Sequence, residues 1–228
     1  MILLDNDVIK LKHEVLKHVA KLAYDDNLTD DNISKIPFDI IPTSKAHFRC
    51  CVYKEREIIS QRTRLAMGKM PVNSEKKGII TVIESACEGC PINRYTVTEN
   101  CQKCLAKSCQ KACPFGAISM TGRGAYIDPD KCKECGKCAQ ACPYNAIADL
   151  VRPCKRSCPV NAINMNEDKI ADIDESKCIS CGACMRACPF GAISDVSYIN
   201  TIISEIKEGK EVFAVIAPAL EGQFGLDC

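Results

Sequence analysis

Between positions 8 and 23, VIKLKHEVLKHVAKLA, the apolar residues Val8, Leu11, Val15, Val19 and Leu22 recur on one face of a 3.6-residue period, with charges opposite. The pattern predicts an amphipathic helix. His13 and His18 fall among its polar positions, so surface histidines are expected there rather than ligands. DDNLTDDNISKIP has no period and reads as a polar connector, and Glu55 to Met67 predicts a second helix stopped by Gly68. HFRCCVYK reads as a short strand burying Cys50 and Cys51. GIITVIE, 78 to 84, reads as a strand leading into a cysteine loop. Toward the end of the chain Ile199, Ile202, Ile203 and Ile206 define another helix, closed by Gly209, and EVFAVIAPAL resumes as a buried strand.

Between these flanks the hydrophobic pattern gives way to cysteine. The 228 residues are 46% hydrophobic, enough for a core, yet only 5% are aromatic, Trp is absent and 19 are Cys. Something other than aromatic packing must organise much of the chain. MILLDNDVIKLK carries acids where a secretory leader would be basic, which predicts a reducing, cytoplasmic setting in which disulfides are not expected. The longest wholly apolar run, VFAVIAPAL, has nine residues and a proline, against the roughly 20 residues a membrane span needs. A soluble protein without a membrane span is expected.

The cysteines repeat. CQKCLAKSCQKACPFGAI (101 to 118), CKECGKCAQACPYNAI (132 to 147) and CISCGACMRACPFGAI (178 to 193) each end in C-P-x-x-A-I, and so does the shorter CKRSCPVNAI (154 to 163). Two of these units lead into related stretches, IDPDKC at 127 to 132 and IDESKC at 173 to 178. The cysteines they end on, Cys132 and Cys178, stand 46 residues apart. This predicts a duplicated two-unit module.

The spacing has a physical reason. A 4Fe-4S cube needs four thiolates at the corners of a tetrahedron; a C-x2-C-x2-C loop wraps three of them, and in two-cluster ferredoxins the fourth comes from the Cys-Pro of the partner run. Proline suits that position because it turns the chain away and has no N–H to satisfy. The rule assigns one cluster to Cys101, Cys104, Cys109 and Cys142, a second to Cys132, Cys135, Cys138 and Cys113, and a third to Cys178, Cys181, Cys184 and Cys158. Cys188 is left with Cys154 alone, because Ala148 and Val151 stand where two more cysteines belong. Upstream, Cys87 and Cys90 offer the missing C-x2-C pair. Setting aside Cys50, Cys51 and Cys228 leaves 16 of the 19 cysteines, four for each of four clusters, so a fourth cluster is inferred on Cys154, Cys188, Cys87 and Cys90. The adjacent Cys50 and Cys51 compete for those positions, and Cys228 is given no role. Zinc is the alternative for isolated C-x2-C pairs such as Cys87 and Cys90, whereas in the full runs tetrahedral zinc has no need of the fourth, proline-followed cysteine.

Charge changes the picture little. Segment 101 to 160 holds ten Lys and Arg against four acids, but each oxidised cube with its thiolates carries about −2, so the excess is read as compensation and docking surface rather than a nucleic-acid patch.

The cysteine runs resemble those of bacterial-type 2[4Fe-4S] ferredoxins. With FRCCVYKEREII, ACEGCPINRYTVTENCQKC, GRGAYIDPDKCKECGKCAQACPYNAI and VFAVIAPALEGQFG, nearly the whole chain is similar to the N-terminal electron-relay part of a monomeric, group B [FeFe] hydrogenase. In that family the hydrogen-activating cluster lies in a catalytic domain with Thr-Ser-Cys and Met-Pro-Cys contexts, and neither occurs here, so hydrogen turnover by this chain alone is not expected. The resemblance implies one-electron transfer between a ferredoxin-type donor or acceptor and a catalytic domain. A free-standing polyferredoxin and a zinc-stabilised interaction protein are the alternatives. The expected class is α+β, with two tandem pseudo-symmetric ferredoxin modules. The expected division is an N-terminal extension at 1–76, a first module with the Cys87/Cys90 loop at 77–149, a second module at 150–195, and a helix and strand at 196–228.

Overall fold

The computed structural model describes residues 6–72, 78–91 and 93–215. Three helices lead: α1 (Asp7–Tyr24), α2 (Asp30–Ile40) and α3 (Val52–Ala66). Strand β1 (Ile80–Val82) follows, then β2 (Tyr95–Val97), α4 (Ser108–Lys111), β3 (Ile118–Thr121), β4 (Gly124–Ile127), α5 (Lys137–Gln140) and β5 (Ile147–Asp149). The chain continues through α6 (Pro153–Ser157), β6 (Ile163–Met165), β7 (Ala171–Ile173), α7 (Ala183–Ala187), β8 (Ile193–Asp195) and α8 (Ile199–Lys207).

Two compact units divide the chain. One is discontinuous in sequence, Met1–Glu88 with Pro159–Cys228, and the other is Gly89–Cys158. In the second unit β2 pairs antiparallel with β5, joining Thr96 to Ala148, and β3 and β4 form a hairpin. In the first unit β1 pairs antiparallel with β8, joining Thr81 to Ser194, and β6 and β7 form a hairpin. Each unit thus joins an outer strand pair to an inner hairpin. These limits differ from the division expected at 149/150: the strand at the head of segment 77–149 takes its partner from the last cysteine run. Three-residue strands carry too little periodicity to announce a partner so far along the chain.

The N-terminal helices hold a core without cysteine. Val15 and Val19 of α1, Ile36 of α2 and Val52, Ile59 and Ala66 of α3 are buried together, with Leu11, Leu22 and Ile199 at the margin. The stripe expected on α1 is the one that faces this core, and His13 is exposed. The stretch read as a connector is instead α2. Thr29 accepts a hydrogen bond from the Asn32 N–H at 3.4 Å, and Asp30 and Asp31 occupy the first turn, where acids complement the exposed N–H groups. Residues that look like a loop are here a helix start. HFRCCVYK is likewise no strand: it bends into α3, and Cys50 and Cys51 are exposed. Helix α8 ends where Gly209 turns left-handed at φ 76°. Glu211 to Val215 are exposed and outside any strand; the remainder of EVFAVIAPAL, and Cys228, lie outside the described residues.

Glu55 fixes that bend. Its side chain is fully buried, and Oε1 accepts the backbone N–H groups of His47, Phe48 and Arg49 at 2.8, 2.6 and 2.8 Å. Burial alone would raise the carboxyl, but these N–H groups outweigh it and hold Glu55 below the usual carboxylate range. A carboxyl that titrates lower in the native state stabilises fully above its unfolded value, about 4.3, and loses that contribution as pH falls through the native value. Glu55→Gln is expected to lower stability at pH 7 by about 1–3 kcal/mol and to reduce the acid dependence, measured by urea unfolding at pH 7 and pH 4. Identical midpoints for the two proteins at pH 7 would show that the bend does not need the carboxylate.

Candidate metal centres

Four of the six positions of C-P-x-x-A-I have a visible structural task. The residue before the alanine is left-handed in all four runs: Gly116, Asn145, Asn161 and Gly191, at φ 59°, 50°, 50° and 61°. Gly and Asn are the residues that enter this region at least cost. The alanines that follow, Ala117, Ala146, Ala162 and Ala192, are 1–2% exposed, which leaves no room for a longer side chain. The N–H groups of Ala117, Ala146 and Ala192 donate to Sγ of Cys113, Cys142 and Cys188 at 3.4, 3.3 and 3.4 Å. The isoleucines, 118, 147, 163 and 193, are buried and begin β3, β5, β6 and β8. In the three complete runs the residue before the second cysteine, Lys103, Glu134 or Ser180, is left-handed as well, at φ 53° to 55°.

In the unit Gly89–Cys158 these loops gather thiols in crossed sets. Cys113, Cys132, Cys135 and Cys138 line one pocket, whose walls include Tyr95, Ile118 and Ile127. Gly136 closes against Tyr95; at φ 77° a Cβ there would stand 2.7 Å from the phenol oxygen. The Cys109 thiol is pushed up by burial, partly offset by the Gln110 N–H, and the thiols of Cys142 and Cys104 raise it further. Cys138 is pushed up in the same way, with Cys132 and Cys113 as its neighbours. Cys101 borders the same core and accepts from the Ala125 N–H at 3.5 Å. That N–H and the Lys103 N–H, with the Lys103 charge, hold its thiol down against burial. The pocket thus brings Cys113 of one run to Cys132, Cys135 and Cys138 of the other, and Cys142 and Cys104 stand near enough to Cys109 to act on its thiol.

In the discontinuous unit, Cys87 and Cys188 flank one core formed by Ile58, Leu65, Ile83, Ala86, Ala192 and Val196. Cys87 Sγ accepts from the Ala171 N–H at 3.4 Å, and Cys178 Sγ accepts from the Ser180 N–H at 3.5 Å. Cys178, Cys181 and Cys184 belong to this unit, whereas Cys90, Cys154 and Cys158 fall in the other. The sets expected for the third and fourth clusters therefore draw on both units and rest on cysteine spacing. Cys154 is buried in α6, which opens on Pro153 at its first turn. Among the described residues no three His, Cys, Asp or Glu side chains form a group suited to a single metal ion.

Sequence reasoning missed the arginines around Cys188. Arg62 is 5% exposed; its Nη2 donates to the Gly191 carbonyl, and its Nε has no partner among the described residues. The neighbouring Phe190 carbonyl accepts from Arg49 Nη2 at 2.9 Å, and Arg49 also covers the Phe190 ring. Burial lowers the Arg62 guanidinium to about 10, opposed by the Cys188 thiolate and reinforced by Arg49. The carboxylate paired with Arg49 is Glu88, at 3.8 Å, and Lys54 shares it. A nearly buried guanidinium acting on the Cys188 thiol, with an N–H left unaccepted and a second arginine on the next carbonyl of the same turn, fits an anionic group at Cys188. A thiolate-bound cube of about −2 has the required sign. Arg152, two residues before Cys154, is also buried, and its Nη1 has no partner among the described residues.

Clustered thiols, backbone N–H groups aimed at sulfur and paired small sheets fit an α+β, ferredoxin-like iron–sulfur protein whose cofactors are 4Fe-4S clusters. The comparisons agree at that level. Residues 100–146 match the model of a 4Fe-4S dicluster domain, and residues 147–199 match that of the LdpA Fe-S cluster-binding domain. The chain is similar to a ferredoxin of Saccharopolyspora erythraea, 43% identical over 53 residues, which are 23% of this chain and 50% of that protein. It is also similar to an uncharacterized ferredoxin of Methanocaldococcus jannaschii, 34% identical over 79 residues, 35% of this chain and 43% of the relative. One component of the Na(+)-translocating ferredoxin:NAD(+) oxidoreductase complex of Acetobacterium woodii is 36% identical over 123 residues, 46% of this chain and 36% of that component. The chain thus spans half or less of the length of these curated relatives. Among the described residues no helix is long and apolar enough to cross a membrane.

Proposed function

We propose that the chain is a cytoplasmic electron relay with four 4Fe-4S clusters, on Cys101/Cys104/Cys109/Cys142, Cys132/Cys135/Cys138/Cys113, Cys178/Cys181/Cys184/Cys158 and Cys87/Cys90/Cys154/Cys188. When bound, such clusters accept and release one electron each. The observation that carries the reading is the pocket lined by Cys113, Cys132, Cys135 and Cys138, four thiols from two runs. The chain's own residues hold the thiolates, supply N–H groups to sulfur and bury the alanine turns away from water, which are the means by which a protein tunes such potentials. In this reading one dicluster module is formed by 95–149. Its pseudo-symmetric counterpart joins the segment around β1, Cys87 and Cys90 to 154–195. Anaerobically purified protein is expected to contain iron and acid-labile sulfide near 16 each per chain. About 12 would remove the cluster that includes Cys87 and Cys90, and zinc in their place would revive the zinc alternative for that pair.

The relay is read as serving an [FeFe] hydrogenase, with the hydrogen-activating chemistry in a partner domain, because FRCCVYKEREII and VFAVIAPALEGQFG resemble that family beyond the cysteine runs. A polyferredoxin serving several redox enzymes is the second reading, favoured by the ferredoxin and translocating-oxidoreductase relatives. An immunoblot of anaerobic source-cell extract separates them. A larger band whose mass includes a catalytic domain supports the hydrogenase reading, and a band at 25.0 kDa supports a carrier that works with separate partners.

A further inference from the structure

The N-terminal helices do more than enlarge a core. Helix α3 and the bend before it deliver Arg62 and Arg49 to consecutive carbonyls, Gly191 and Phe190, in the turn that follows Cys188. The fit is close: a Cβ on Gly191 would collide with the Arg62 guanidinium, and φ 61° there already disfavours one. A buried guanidinium with one N–H, Nε, left without an acceptor among the described residues is costly, and a second guanidinium near it repels it. Packing alone does not call for either charge, because Ile58 and Leu65 on α3 supply the apolar contact. Arg49 has Glu88 as its counter-charge, and a group that gains negative charge on reduction gives the Arg62 charge a task.

We propose that Arg62, with Arg49 beside it, is a positioning and charge-compensating residue that raises the reduction potential of the cluster bound at Cys188. Reduction adds one electron to that cluster, and its extra negative charge is stabilised by a cation held out of water, where salt screens it little. The exposed lysines of the other cysteine loops act through solvent and do so more weakly. A guanidinium is protonated throughout the neutral range, so the charge is permanent under working conditions. The proposal rests on the fourth-cluster reading, which the iron count tests separately.

The experiment is an anaerobic redox titration with dithionite, followed by electron paramagnetic resonance, on wild type, Arg62→Met and Arg62→Lys. All three are assayed first for iron and sulfide. Arg62→Met with full iron is expected to move one midpoint of the set to more negative potential, at least a tenfold change in its reduced-to-oxidised ratio at fixed potential, about 59 mV for one electron. The remaining midpoints stay in place, and Arg62→Lys recovers most of the shift. Unmoved midpoints in an iron-replete Arg62→Met protein would overturn the proposal. If Arg62→Met loses iron, Arg62→Gln against Arg62→Lys gives the same reading, since only the lysine keeps the charge. A wild type with about 12 irons would instead remove the fourth cluster on which the proposal stands.

Discussion

Stripping the iron with a chelator under anaerobic, reducing conditions is expected to unfold residues 95–149 while leaving the helical signal of α1 to α3 largely in place. The reason lies in what each core is made of. In the cysteine-rich unit the buried set is Tyr95, Ile118, Ala125, Ile127 and Ile147 with Cys109 and Cys138, and Cys101, Cys113 and Cys132 border it. Its helices α4 and α5 have four residues each, and its sheets have two strands, lengths that do not stand alone in water. Without cubes to tie the loops together, the thiols of Cys109 and Cys138 take up protons again, as burial favours, and metal binding and folding become one equilibrium. The N-terminal core of Val15, Val19, Ile36 and Ile59 contains no cysteine. Hydrogen exchange reads both parts at once: amides of Ile118 and Ile147 should lose protection by orders of magnitude, and those of Val19 and Ile59 should not. A metal-free protein with Ile118 and Ile147 still protected would show that side-chain packing alone sustains the unit.

Cys142→Ala should cost the cluster of a loop other than its own. Cys142 closes the run that begins at Cys132, yet its thiol lies beside Cys109, and Cys113 shares a pocket with Cys132, Cys135 and Cys138. Loss of about four irons is expected, with exchange rising across 101–109 and not across 132–138. Cys113→Ala is the mirror experiment and should reverse the pattern. If Cys142→Ala instead loosens 132–138, each run keeps its own cluster and the crossed ligand sets are wrong.

Much of this was legible because the cysteine loops are built from local constraints. The recurrence of C-P-x-x-A-I at fixed offsets was read from the sequence, and the structure adds why it recurs: a left-handed Gly or Asn, a buried alanine and a buried isoleucine that begins a strand. Where the determinant is long-range, the sequence was opaque. The partner of β1 lies in the last cysteine run, and ITV is too short to show a period. Helix α2 was hidden because Asn and Asp serve loops and helix starts alike, and only the Thr29 cap decides between them. Arg49 and Arg62 stand at positions that look like the charged face of a helix region, and only the turn after Cys188 covers them.

The pairing of Thr81 with Ser194 also orders events at the ribosome. With the two positions 113 residues apart, translation at ~5–20 residues per second leaves β1 waiting roughly 6 to 23 s for β8 to be made. Residues 95–149, with both strands of each of their sheets already synthesised, can close and take up iron first. Until then the ITV strand is an unpaired edge, open to association with another nascent chain. In a host whose cluster supply lags behind its ribosomes, slowed elongation between codons 150 and 195 therefore gives residues 95–149 longer to take up iron, while it also lengthens the exposure of the unpaired edge.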